Sequence, residues 1–390
     1  MTLHHHRLPQ PAPARVLACG AYLKNSACLI QGDEVIWSPV HGDLGDPGAR
    51  ESLEFSVTAL QRAASGPIAA GAHDLHADFH STQLAQAVAA EQGVPAIPVQ
   101  HHHAHISAVQ AEQGLIESVV GLALDGVGLG TDGTAWGGEV LWVDGGEAAH
   151  RWQRVAHLQP LALPGGDVAA CEPWRMAAAV LHALGRGDEI ERRFGPVVGT
   201  QPARLLRSML DRRLNCPGTT SAGRWFDAAA GALGLSVKQG AEAEAAIALE
   251  RAAAQALERR HDGVPFAPSL DLRGVVADAF EVPRDDDAAI ARAALHFHHA
   301  MADGLADAAV QAAQQHGAGT VVLGGGCFMN RVLTERLAAR LQARGLAVHA
   351  PQSTPCGDAG LALGQAWVAA CTLADPLAAA QQHDALELEH

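Results

Sequence analysis

The sequence predicts an α/β protein of two strand-led lobes, the second carrying a helical insertion. Three observations carry this. The chain has 390 residues, room for two domains or one large two-lobed unit. A meander of short strands near residue 15 is repeated in kind near residue 118, each time as strand, tight turn and strand. The stretch from about 172 to 316 is mainly helical in pattern. Residues 14–117 therefore read as the first lobe and 118–375 as the second, with the insertion at about 172–316. Residues 1–13, rich in Pro and His, read as a disordered start, and 376–390 as a tag-derived tail.

In the first lobe, residues 15–21, 26–30 and 35–37 alternate apolar side chains as strands do. The turn between the first two puts Lys24 at a hairpin tip, either solvated or aimed at a ligand phosphate. A helix follows over 51–64, with Leu53, Phe55, Val57 and Leu60 as its apolar members, then a strand at 68–70. Residues 74–82 are polar and motif-like, 83–91 read as helix, and 94–99 as the strand that leads into Gln100-His101-His102-His103-Ala104-His105. In the second lobe, the apolar run 118–125 is a buried strand ending on Asp125, and 140–143 is the next strand. Helices are expected at 172–184, 203–214, 224–233, 241–258 and 288–316, the last capped by Asp285-Asp286-Asp287. A strand at 320–323, a helix at 327–344, a strand at 347–349 and a helix at 358–370 close the chain.

Composition narrows the function. Asp and Glu number 42 against 27 Lys and Arg, a net charge of -15, which repels nucleic-acid backbones. Seven cysteines form no CxxC pair, as in a reduced cytoplasmic protein, and no apolar run is long enough to span a bilayer.

The chemistry concentrates in a few places. His101 and His105, four apart, share one face of a helix, and two neutral imidazoles there suit a divalent transition metal; a polar helix start with solvated histidines is the plainer reading. Asp125 ends a strand before a glycine, where carboxylates of α/β sheets face the ligand crevice. Asp358 is either an N-cap or a ligand reaching back to the two histidines. Two imidazoles with one or two carboxylates suit Fe(II) or Zn(II), between which the sequence does not choose. Two glycine-rich turns are candidate phosphate cradles or plain tight turns. One comprises Gly128, Thr131, Asp132, Gly133, Thr134, Gly137 and Gly138. The other is Gly324, Gly325 and Gly326 with Asn330. Asp167 and Arg175, in a dense Pro/Gly segment, face a substrate cleft or simply start a helix. With Lys24 they are the weak catalytic candidates. Cys327 reads as a buried thiol rather than a nucleophile.

These residues also carry a resemblance. Leu23-Lys24-Asn25, Asp74-Leu75-His76, Gln100-His101-His102-His103-Ala104-His105, Asp125-Gly126 and Trp136-Gly137-Gly138-Glu139 resemble, in order, the C-terminal domain of the HypF family. So do Leu163-Pro164-Gly165-Gly166-Asp167, Glu172-Pro173-Trp174-Arg175, Gly223-Arg224 with Phe226-Asp227, Gly324-Gly325-Gly326-Cys327-Phe328-Met329-Asn330 and Gly357-Asp358-Ala359-Gly360. The resemblance covers about residues 14–370. HypF is the carbamoyltransferase of nickel–iron hydrogenase maturation, and this domain is similar to the tRNA threonylcarbamoyl transferase TsaD. The resemblance implies a two-lobed actin-like ATPase (ASKHA) fold with duplicated strand-rich cores. It implies a metal on His101, His105, Asp358 and Asp125, and the ATP or AMP moiety of a carbamoyl-adenylate between the glycine turns. It implies transfer of the carbamoyl group to the C-terminal cysteine of HypE, as a step toward cyanide ligands. HypF-like chains carry acylphosphatase-like, zinc-finger and adenylate-forming domains ahead of this one; without them the expectation is that adenylate is supplied from elsewhere. The competing expectations are a metal-dependent hydrolase of carbamoyl phosphate and a non-enzymatic module that docks HypE or holds metal. A kinase of the same superfamily ranks below these.

Overall fold

The computed structural model describes residues 2–259 and 267–378. Its frame is two sheets that repeat one strand order. The first contains β1 (His4–Arg7), β2 (Val16–Ala18), β3 (Cys28–Gln31), β4 (Glu34–Trp37), then, after α1 (Pro47–Ala63), β5 (Ala70–Asp74), and, after α2 (His80–Gln92), β6 (Ala96–Val99). The spatial order is β1-β4-β3-β2-β5-β6. β2, β3 and β4 form an antiparallel meander, and β5 and β6 join β2 in parallel. Helix α3 (His101–Gln113) leaves the last strand.

The second sheet repeats this plan. β7 (Val119–Leu129), β8 (Ala135–Val143) and β9 (Trp152–His157) form its antiparallel meander. The short β10 (Leu161–Ala162) pairs with a later strand beyond β8. The insertion then supplies α4 (Asp167–Cys171), α5 (Pro173–Ala183), α6 (Glu189–Val198), α7 (Thr200–Arg212), β11 (Gly218–Thr219), α8 (Ala222–Leu233), α9 (Glu244–Glu258) and α10 (Arg273–Ala279). Helix α11 (Asp287–His316) returns the chain to β12 (Thr320–Gly324), and α12 (Arg331–Gln342) leads to β13 (Ala347–His349). β12 lies parallel to both β7 and β13. A 3-10 turn over Asp358–Gly360 opens the closing helix α13 (Leu361–Ala374). Counting from each meander, the strands run 3-2-1-4-5 in both sheets, so the expected duplication is present in the topology.

The period-2 rule of strands divides the core cleanly. In the first sheet, Leu17, Leu29 and Ile36 point to α1 and α2, while Val16, Ala18, Cys28, Ile30 and Val35 point the other way, onto α13. In the second sheet, Val119, Ala123, Leu141 and Val322 meet Ile106 and Val109 of α3; Val120, Leu122, Leu124 and Val140 face the helical insertion. The two halves thus exchange helices. Helix α3 follows a strand of the first sheet and packs on the second, and α13 does the reverse. Chain order would assign α13 to the second lobe; packing assigns it to the first sheet. Both helices are buried nearly all round, as a helix between two sheets must be. They cross where a Cβ on Gly364 would stand 1.8 Å from the Ala104 carbonyl oxygen, so only glycine permits the approach.

Some expectations need correction. The start of the chain is not without structure: β1 pairs antiparallel with β4, and Leu8 and Ala12 are buried. Its histidines alternate with no apolar partner, so periodicity gave no strand. The short β9 and helices α6 and α10 were not foreseen, whereas α5, α7, α8, α9 and α11 lie within a few residues of their expected positions. Asp286 is the acidic cap of α11, accepting from the Ala289 N–H at 2.9 Å. Among the described residues no helix is long and apolar enough to cross a membrane. The tail from 379 onward lies outside the described residues.

Candidate metal centre

The reciprocal packing of α3 and α13 brings their N-terminal ends together, and the four expected metal donors meet there. Gln100 caps α3 by accepting from the His103 N–H at 2.8 Å, which starts the helix at His101. His101 and His105 then stack one turn apart. Asp125 sits where the register of β7 against β8 shifts between Leu124 and Gly128. Such a bulge re-aims side chains, and here it turns the carboxylate toward α3. Asp358 arrives from the turn that opens α13. The loop ahead of it is tied to the far end of α3, because the Glu112 carboxylate accepts from the N–H groups of Gln352 and Thr354 at 3.1 and 2.7 Å.

The donor atoms of His101, His105, Asp125 and Asp358 all lie within 4.8 Å of one another. His101 Nε2 stands 3.2 Å from both His105 Nε2 and Asp125 Oδ2. Asp358 Oδ1 is 3.5 Å from His101 Nε2 and 3.6 Å from His105 Nε2. Donors of a tetrahedral site with bonds of about 2.1 Å stand about 3.4 Å apart, so these spacings fit one small divalent ion. Behind His101, Asp74 Oδ2 accepts from Nδ1 at 2.7 Å, which leaves Nε2 to face the cluster. This carboxylate–imidazole–metal arrangement fixes a ligand's tautomer and orientation.

Electrostatics agree with a cation site. Burial pushes the His101 imidazolium down, but the charge of Asp74 and the hydrogen bonds to Asp125 and Asp358 outweigh it, and its pKa stands well above the usual value. His105 is raised for the same balance of reasons, burial opposed by Asp125 and Asp358. Burial pushes Asp125 up, yet hydrogen bonds from the two imidazoles hold it well below an ordinary carboxyl; Asp358 is also lowered, the imidazoles outweighing burial and its neighbour Asp125. Without a cation, then, protons on the imidazoles balance the carboxylates. His102, packed against Gly128 and Trp136, is pushed well below the usual value by burial and the charge of His101, and stays neutral.

The other expected site residues are distributed unevenly. The N–H groups of Gly137 and Gly138 donate to Glu139 Oε1 at 3.0 and 3.2 Å. A buried carboxylate therefore occupies the place expected for a phosphate, and these two glycines leave the phosphate set. Gly128 packs beneath the histidine rings. Thr131, Asp132, Gly133 and Thr134 form the tip of the β7–β8 hairpin, closed by Asp132 accepting from the Thr134 N–H and the Trp136 indole, both at 2.9 Å. The second turn lies closer to the centre: a Cβ on Gly326 would be 3.2 Å from Asp125 Oδ1. Gly325, at φ +103°, rests on the Leu124 carbonyl, and Gly324 packs on the backbone of His105. Asn330 is committed to capping α12 and to the buried His298.

Lys24 pairs with Glu242 of the insertion at 2.9 Å, and Arg175 with Glu172 at 2.5 Å. Asp167 is exposed at the start of α4. None of the three reaches the donor cluster. Burial, together with the charge of Asp125, raises the Cys327 and Cys356 thiols, Cys327 well above the ordinary value and Cys356 to about 11, so neither supplies a thiolate near neutral pH. Sequence reasoning missed Asp74 and Glu139 as site residues. Asp74 lay in the motif-like stretch, and its place after a buried apolar strand was the available signal.

Comparison with known proteins places this geometry in context. A family described as "HypF Kae1-like domain" matches residues 11–112, and one described as "Carbamoyltransferase, Kae1-like Domain, second subdomain" matches residues 121–365. The chain is similar to a Carbamoyltransferase HypF homolog of Cupriavidus necator, 59% identical over 370 residues that cover 92% of each chain. It is 46% identical to Carbamoyltransferase HypF2 of the same organism over 388 residues, 93% of this chain and 47% of that one. Among solved structures, full-length HypF in a phosphate- and nucleotide-bound form superposes with a TM-score of 0.81 at 29% identity, covering 95% of this chain and 48% of that chain. The chain thus spans nearly all of the first relative and about half the length of the other two.

Proposed function

The chain belongs to the HypF family, and from that premise we propose that it is a metal-dependent carbamoyl-transfer module of nickel–iron hydrogenase maturation. The donor is a carbamoyl-adenylate lodged in the cleft between the sheets, and the acceptor is the C-terminal cysteine thiolate of a HypE-like protein. The observation that carries this reading is the convergence of His101, His105, Asp125 and Asp358 at the crossing of α3 and α13. The donor set, two imidazoles and two carboxylates, suits Fe(II) or Zn(II). A nucleotide-bound relative of the same fold supports the adenylate part.

A metal held there supplies Lewis acidity toward an oxygen of the donor. The chain's own residues do the rest. Asp74 holds the His101 ring in one orientation, so the cluster is set before a substrate arrives. Glu112 fixes the loop that carries Asp358. Burial keeps the Cys327 and Cys356 thiols protonated, so neither competes with a partner's thiolate beside the donor cluster.

The test is transfer of a labelled carbamoyl group to HypE with carbamoyl-adenylate supplied. The wild type transfers, and His101→Ala or His105→Ala loses transfer. Release of label into water at the same rate with and without HypE would replace this reading with the hydrolase.

A further inference from the structure

A guanidinium beside the metal ligands has a use that the fold alone does not explain. Helix α8 begins against Asp125. Its cap Ser221 donates to the carbonyl oxygens of Asp125 and Gly126, at 3.1 and 2.5 Å, and accepts from the Arg224 N–H at 3.1 Å. Gly223 lies on Gly126, a Cβ there being 3.0 Å from the Gly126 Cα. Arg224, the next residue, is therefore held one turn into a helix that is bolted to the backbone of a metal ligand. Its side chain is only 13% exposed, and its partner Asp227 2%.

The pair is short but poorly made. Arg224 Nε and Asp227 Oδ2 are 2.7 Å apart, yet neither atom has a directed hydrogen bond. Other cations around the cleft are better engaged: Arg154 donates from Nε to Glu139 at 2.7 Å and lies over the Trp136 ring, and Arg175 donates to Glu172 and to the Pro164 carbonyl. Among the described residues Arg224 has no second acceptor, so its terminal nitrogens keep donors free in a nearly buried place. A guanidinium there with spare donors is matched to a planar or tetrahedral oxyanion.

Charge makes directed donors useful there. Asp74, Asp125 and Asp358 bring three negative charges, and a divalent ion returns two. An anionic phosphate ligand entering this cluster meets a net negative charge unless a cation faces it.

We propose that Arg224 is the anion-positioning residue of the centre: its terminal nitrogens bind a phosphate oxygen of the donor on the side of the metal site lined by α8. This rests on the reading of the site as a metal-dependent transferase and assigns its phosphate contact. Asp227 anchors the guanidinium from the buried side and keeps it from collapsing onto Asp125. Burial pushes its own carboxyl up to about 6, against the pull of Arg224.

The experiment measures binding of inorganic phosphate and of AMP to the zinc-loaded chain by calorimetry, at two salt concentrations, for wild type, Arg224→Lys and Arg224→Gln. Zinc stoichiometry is determined for each. The expected result is unchanged zinc content, at least tenfold weaker phosphate binding in Arg224→Gln, and intermediate, still salt-sensitive binding in Arg224→Lys. A purely structural role would not make affinity follow the charge of the side chain. Wild-type phosphate affinity in a zinc-loaded Arg224→Gln protein overturns the proposal and leaves the metal reading standing. Failure of the wild type to bind zinc overturns the metal reading itself, and with it the assignment.

Discussion

His101 presents one ring nitrogen to Asp74 and the other to the donor cluster, so its two hydrogen-bonding roles can be separated by mutation. Asp74→Asn leaves all four donors in place but removes the carboxylate that fixes the tautomer; zinc affinity measured by competition with a chromophoric chelator should fall about 10–100-fold. Equal affinity would show that packing alone orients the ring. The same residues set a pH dependence. Their raised pKa values mean that metal must displace protons from His101 and His105, so affinity rises with pH and binding releases protons. Without metal the sign is opposite. A raised imidazole pKa stabilises the fold fully below the ordinary value of 6.5 and loses that contribution as pH rises through the raised value. The melting-temperature gap between zinc-loaded and zinc-free protein should therefore widen as pH rises; a constant gap would show that the imidazoles carry no proton in the metal-free state. At this scale the histidines, Asp125 and Asp358 were legible because their spacing, the apolar run before Asp125 and the helix start at Asp358 are local features. The fate of Gly137 and Gly138 was not, because the adjacent Glu139 folding back onto their N–H groups has no signature in spacing.

At the scale of elements, the centre depends on how closely α3 and α13 cross. Gly364 lies on the Ala104 carbonyl, and Gly324 brings β12 against His105. Gly364→Ala cannot be absorbed by rotamer changes because the obstacle is backbone. It should cost at least about 3 kcal/mol in denaturant unfolding, the upper range for overpacking, and weaken zinc binding by moving Asp358 away from α3. A stable variant with normal zinc affinity would show that the crossing is not what sets the donor spacing. The helices themselves were readable from apolar pattern and caps, and α11 and its acidic start are the clearest case. The short β9 and the outer β1 were not, since edge strands such as β1 are specified by pairing with a neighbour more than by their own side chains. Asp125 lies between these outcomes: the apolar strand and its carboxylate were visible, but the strand does not end there as expected, because β7 runs on to Leu129 and a bulge within it aims Asp125.

At the scale of the whole molecule, the candidate metal donors come from both lobes. His101 and His105 follow the last strand of the first sheet, and Asp125 and Asp358 come from the part of the chain that begins with the second sheet at β7. An ion bound by all four adds its binding free energy to the folded state, and zinc at about 100 times its dissociation constant should add about 2.7 kcal/mol to stability. The repeated strand order explains why two such ends meet: each half sends a helix from its fifth strand across to the other sheet, and the pair cross head to head. The sequence revealed the duplication of the strand meanders but not this exchange, because it rests on which face of each sheet a distant helix covers. The most direct test is anomalous diffraction from crystals of the zinc-loaded chain. One peak about 2.0–2.2 Å from His101 Nε2, His105 Nε2 and the Asp125 and Asp358 carboxylates is the predicted result. Full zinc occupancy elsewhere, with these four side chains unliganded, would contradict it.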